Sequence, residues 1–172
     1  GLSIAVEADK RDQGFTDSKA VLKMILRNAQ GRESKRDIRS QTLEHKDDGD
    51  KTLIIFDRPR DVKGTALLSF THKTGADDQW LYLPALKRVK RIASKNKSGP
   101  FMGSEFAYED LSSQEVEKYS YKYLHDEVCP GNAYKALNCF VMERYPVDKN
   151  SGYTRQLIWV DKGEYRPIKI DY

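Results

Sequence analysis

From residue 38 onward the chain repeats one pattern, and that pattern limits the folds open to it. "IRSQTLEH" (38–45), "KTLIIFD" (51–57), "KGTALLSFTHK" (63–73), "QWLYL" (79–83) and "RVKRI" (88–92) alternate in period two. So do "KYSYKYLHDEV" (118–128), "ALNCFVMERYP" (136–146), "YTRQLIWVD" (153–161) and "EYRPIKID" (164–171). Turn signals lie between them, Asp48-Gly49 and Lys162-Gly163 among them, and Pro84 ends the fourth run because proline cannot donate to a ladder. Nine short strands with mostly short connections predict an antiparallel meander, not alternating βαβ units.

One segment ahead of the meander reads as a helix. "TDSKAVLKMILRNAQG" offers Thr16 or Asp17 as N-cap, then Val21, Leu22, Ile25, Leu26 and Ala29 at helical spacing, then Gly31 as C-terminal cap. A helix over 17–30 with one buried face is the expectation. Between strands, "ASKNKSGPFMGSEFAYEDLSSQE" (93–115) is rich in Gly and Ser yet holds Phe101, Met102, Phe106, Tyr108 and Leu111. A segment with that many large apolar groups should fold back over an apolar surface, with a short helix at 104–111. No internal repeat or linker divides the 172 residues, so a single domain is expected. The class is mainly β (α+β): a long, curved antiparallel sheet covered by the helix and the loop.

The apolar residues exceed what those two covers easily bury. "TLIIF" is apolar on both faces, Leu53 and Ile55 on one and Ile54 and Phe56 on the other; Ala66, Leu68 and Phe70 share a face, and "LIWV" is again apolar on both. An internal cavity for a hydrophobic ligand and an ordinary filled core are both consistent with this surplus.

The stretch 87–97 carries six positive charges: Lys87, Arg88, Lys90, Arg91, Lys95 and Lys97. Net charge is only +4, and the aromatics Trp80 and Tyr82 precede the charges instead of interleaving with them. Both facts argue against nucleic-acid binding. Docking on anionic lipid headgroups or an acidic partner suits Lys87, Arg88, Lys90 and Arg91 better, with a solvated edge hairpin as the competing account.

Catalytic and metal-binding patterns are lacking: no GxSxG, GxGxxG or Walker loop, and His45, His72 and His125 fall on three separate strands. Glu109-Asp110 reads as solvated loop charge. Cys129 and Cys139, ten apart, either close a small hairpin by a disulfide or are two buried thiols. No apolar run reaches the length of a membrane-spanning helix, no export signal is visible, and the chain begins at Gly1 without a methionine, as a processed form or fragment would.

"QWLYLPALKRVKRI", "SGPFMGSEFAYEDL" and "SGYTRQLIWVDKGEYRPIKIDY", in this order over residues 14–172, resemble a LolA-like group of outer-membrane lipoprotein-sorting proteins and, in architecture, the lipoprotein carriers LolA and LolB. The resemblance implies that the antiparallel sheet is strongly curved into an incomplete half-barrel whose lid, the loop with helix 17–30, covers an apolar concave face that holds lipoprotein acyl chains or another lipid. It implies the Gram-negative periplasm, which fits a Cys129–Cys139 disulfide, sorting of cargo towards the outer membrane, and partners such as an inner-membrane exporter and an outer-membrane acceptor, with only peripheral membrane contact. It implies no enzymatic activity and no cofactor. Strand alternation and the lid then nominate Leu22, Ile25, Leu26, Leu53, Ile55, Leu68, Phe70, Leu81, Leu83, Phe101, Met102 and Phe106 as cavity or lid residues. The family usually continues with further strands beyond a position such as Tyr172, so a truncated chain is also expected. The alternative is a non-catalytic adaptor module of an envelope export complex that binds no ligand.

Overall fold

The computed structural model describes all 172 residues. The protein is mainly β, with one α-helix, α1 (Leu2–Asp12), and ten strands in two antiparallel sheets, neither closed into a barrel. Its contacts divide it into two units, one of residues 15–72 and 76–113, the other of residues 1–14, 73–75 and 114–172.

The first unit holds a six-stranded meander: β1 (Asp17–Arg27), β2 (Glu33–Leu43), β3 (Lys51–Arg58), β4 (Ala66–Phe70), β5 (Asp78–Leu83) and β6 (Arg88–Ile92), each paired with its neighbour in sequence. The registers fix the faces. Ile38 lies opposite Phe56, Ile54 opposite Leu67, and Leu67 opposite Leu81, so these side chains share one face. That face carries the core, where Ile38, Ile54, Phe56, Leu67, Leu81 and Ile92 pack with Val62 and Phe101. Leu53, Leu68 and Trp80 line up across the opposite face.

The second unit holds β7 (Tyr119–Val128), β8 (Asn138–Pro146), β9 (Gln156–Asp161) and β10 (Pro167–Asp171), again a meander. Helix α1 buries Ile4 and Ala5 against Met142, Ile158 and Val160 on one face. Arg11, in its last turn, donates to the Gly163 carbonyl (2.7 Å) and lies 4.3 Å over the Tyr165 ring. Gly1 is tied to its place, because a Cβ there would meet the Tyr121 Cβ at 2.9 Å. A Cys129–Cys139 disulfide closes the β7–β8 connection and packs with Val141 and Trp159.

The helix expected over 17–30 is corrected: that segment is β1, and the helix lies upstream. Val21, Leu22, Ile25 and Leu26 fit both periods, because an apolar pair repeated every four residues also places one member on each face of a strand. Pairing decides the matter. All eleven residues of β1 have partners on β2. Gly31, with φ of +77°, belongs to the hairpin turn, where the Asn28 side chain accepts from the backbone N–H of Gln30 (3.1 Å) and Arg32 (2.9 Å). The 104–111 helix is reduced to a single 3-10 turn at Tyr108–Leu111.

Candidate functional site

The segment 93–113, termed the lid below, covers the core face of the six-stranded sheet. Its backbone reverses at Met102 and Gly103, both left-handed, and Pro100 pairs with Ala107 as an isolated antiparallel bridge. The Phe101 N–H donates to the Phe106 carbonyl (2.7 Å), and the Ser104 hydroxyl to the Phe101 carbonyl (2.7 Å). The reversal drives Phe101 into the sheet. Its side chain is 0% exposed, with ring centroids 5.6 Å from both Phe56 and Tyr108.

Polar side chains rising from the same sheet face hold the lid. Gln79 on β5, buried, donates through its amide to the Tyr108 carbonyl (3.0 Å) and to the Ser69 hydroxyl (3.1 Å). The Thr71 hydroxyl accepts from the Ser113 N–H (3.2 Å). Arg36 on β2 donates to the Met102 carbonyl (2.7 Å) and sits 5.7 Å over the Phe56 ring. Burial also raises the Tyr108 phenol above its ordinary pKa. Gln79, Ser69, Thr71 and Arg36 were not apparent as site residues in the sequence. The available signal was Ser69 in step with Leu67, and Gln79 in step with Leu81, on an otherwise apolar strand face.

The nominated cavity residues do not gather in one place. Leu81, Leu83, Phe101 and Met102 belong to the lid-face core or pack against it. Leu22 and Leu26 share that face, carried on β1 opposite Ile38 and Ser34, while Phe106 on the lid stays exposed. Leu53, Ile55, Leu68 and Phe70 point to the opposite face, as does Ile25. There a groove of about 540 Å³ runs over Leu43, Leu53, Leu68 and Phe70, rimmed by Asp17, Lys19, Gln41 and Lys51. Lys51 lies 4.8 Å over the Phe70 ring. Placing Leu53 and Leu68 with Leu81 assumed one face for all three strands; the register pairs Leu68 with Trp80 and Leu81 with Leu67.

The basic residues are likewise divided. Lys87 occupies the left-handed turn position after Leu86. Arg88 and Lys90 lie opposite Leu83 and Leu81, on the lid face of the exposed edge strand β6. Val89 and Arg91 take the other face, where Arg91 bonds Asp78. Asp78 also faces His72, whose Nε2 is 3.4 Å from its carboxylate, while Nδ1 lies 2.6 Å from Asp48. Hydrogen bonding to Asp48 raises the His72 pKa above its ordinary value.

Comparison with known proteins follows the same architecture. A family model described as an uncharacterized protein matches residues 48–172. Among solved structures, a domain from Vibrio parahaemolyticus, provisionally named an outer membrane lipoprotein-sorting protein, is 60% identical with a TM-score of 0.94, covering 99% of this chain and 70% of that one. A DUF1329 family protein from Desulfovibrio piger is 30% identical (TM-score 0.88; 99% and 71% covered). A LolA superfamily protein from Nitrosomonas europaea is 20% identical (TM-score 0.67; 98% and 69% covered), a likeness of fold alone. No curated protein matches the sequence.

Proposed function

The chain belongs to the LolA-like outer-membrane lipoprotein-sorting family, and from that premise we propose that it is a periplasmic carrier that holds an acyl chain of a lipoprotein, or another lipid, between its six-stranded sheet and the 93–113 lid. The observation that carries this reading is Phe101: an aromatic ring from a loop, fully buried on a strand face against Phe56 and the aliphatic residues Ile38, Ile54, Leu67, Leu81 and Ile92. It occupies the place an acyl chain would take, and the lid returns it there when cargo leaves. The disulfide suits an oxidising compartment. No chemical step is needed, because loading and release are exchanges of apolar surface.

The magnitudes allow the exchange. Opening the lid breaks the bonds from Gln79, Thr71 and Arg36, at about 1 kcal/mol net each. Exposing the Phe101 ring costs about 2 kcal/mol more. An acyl chain returns about 0.8 kcal/mol per buried CH₂. A chain of roughly six methylenes therefore balances the opening, and longer ones drive it.

The same filled face favours a second reading, an adaptor module with no ligand. Native mass spectrometry with organic extraction, followed by titration with a fluorescent fatty acid, separates the two. The carrier reading expects a co-purifying or added lipid near one per chain, tighter binding in Gln79→Ala, and unchanged binding in Leu68→Lys. Loss of binding in Leu68→Lys alone would move the cargo to the opposite groove. No binding in any form would leave the adaptor.

A further inference from the structure

β1 is an outer strand: it pairs with β2 on one side and no strand pairs on the other. Outer strands normally carry a bulge, a proline or inward charge that blocks further pairing. β1 has no bulge in its register and no proline; its charges, Asp17, Lys19, Lys23 and Arg27, all fall on one face, and it exposes Val21 at 84%, Leu22 at 48% and Ile25 at 44%. Its far half is also short of support. β3 pairs with β2 only over Asp37–Leu43, so 24–27 and 33–36 stand as a two-stranded ribbon, a marginal arrangement in water.

We infer that β1 binds a second copy of this chain edge to edge, antiparallel, about a two-fold axis through Leu22. A two-fold axis normal to the sheet keeps each face on its own side, so directly opposed residues must share a face. With the axis at Leu22, Leu22 meets its own copy, Ala20 meets Met24 and Ser18 meets Leu26, joining two apolar rows on the lid face. On the other face Val21 meets Lys23, Lys19 meets Ile25, and Asp17 meets Arg27 twice by symmetry. Arg27 donates through Nε to Glu33 (2.7 Å), and its other guanidinium N–H groups remain for Asp17. Charge excludes the two neighbouring axes, and full pairing separates Leu22 from an axis at Ala20, which would set Asp17 against Lys23. An axis at Val21 sets Lys19 against Lys23; one at Lys23 sets that residue against itself and Lys19 against Arg27. The Leu22 axis is also the one that pairs all eleven residues of the strand. The result is a continuous sheet of two six-stranded halves.

Sedimentation of the 172-residue chain tests this, with the dimer expected as a concentration-dependent species of twice 19.8 kDa. Asp17→Arg and Arg27→Asp should each weaken dimerisation at least tenfold, and the double swap should restore it. Opposed residues of antiparallel strands lie within disulfide reach. Under mild oxidation Leu22→Cys should therefore form a covalent dimer, while Ile25→Cys, equally exposed but facing Lys19, should not. A monomer at every concentration overturns the inference. So does a dimer indifferent to the single charge reversals, or one that cross-links through Ile25→Cys and not Leu22→Cys.

Discussion

Phe101 separates packing from function at the scale of one residue. As a fully buried ring against Phe56 and Tyr108, it should cost about 3–5 kcal/mol when truncated to alanine, measured by urea unfolding. If the ring stands in for cargo, a saturating fatty acid should recover more of that loss in Phe101→Ala than it adds to the parent protein. Equal increments would show that ligand and ring occupy different places. Gln79 gives a complementary case. Gln79→Leu keeps a side chain of similar size on the sheet but strips the Tyr108 carbonyl and Ser69 hydroxyl of their donor, at about 1–3 kcal/mol. Phe101 was legible in the sequence, because a large aromatic in a Gly- and Ser-rich loop must bury somewhere. Gln79 was not, since a polar residue in a strand ordinarily marks a solvated position, and only its buried partners reverse that meaning.

At the scale of elements, His72 ties two hairpin connections together, with Asp48 from the β2–β3 turn on one ring nitrogen and Asp78 from β5 on the other. Asp77 accepts from the His72 backbone N–H, and Arg91 reaches the site through Asp78. The carboxylates raise the folded-state pKa above the 6.5 of the free imidazole. The sign follows: this stabilisation is present in full below the unfolded pKa and is lost as pH rises through the folded one. Melting temperature should therefore fall across that window, and His72→Asn should flatten the profile there. An NMR titration placing the His72 pKa at or below 6.5 would refute the clamp. The elements themselves were unequally legible. The strands from β3 onward carry period-two runs that turn residues close off, so their order and pairing follow from local signals. β1 is ambiguous because its apolar pairs satisfy two periods, and only the ladder to β2 resolves it. Helix α1 buries just Ile4 and Ala5, too narrow a stripe to stand out among its charged residues.

At the scale of the whole molecule the two outer strands of the larger sheet place their charge on different faces. β1 carries Asp17, Lys19, Lys23 and Arg27 on the face away from the lid, whereas β6 presents Arg88 and Lys90 on the lid face. A net charge of +4 spread over 172 residues gives little steering, so any attraction to anionic headgroups must come from this local cluster. Each basic residue near such a surface contributes about 1 kcal/mol. Arg88→Glu with Lys90→Glu should thus weaken binding to vesicles containing anionic lipid by at least about 30-fold in co-sedimentation. The parent protein should lose the same binding as added salt shortens the screening length. Arg91→Glu should behave differently, because it breaks the bond to Asp78 on the opposite face and acts on the His72 clamp. It should alter the pH profile of melting more than vesicle affinity. Unchanged affinity in the double reversal would mean that the positive charge of β6 serves to keep that edge in water, and that membrane or partner contact is made elsewhere.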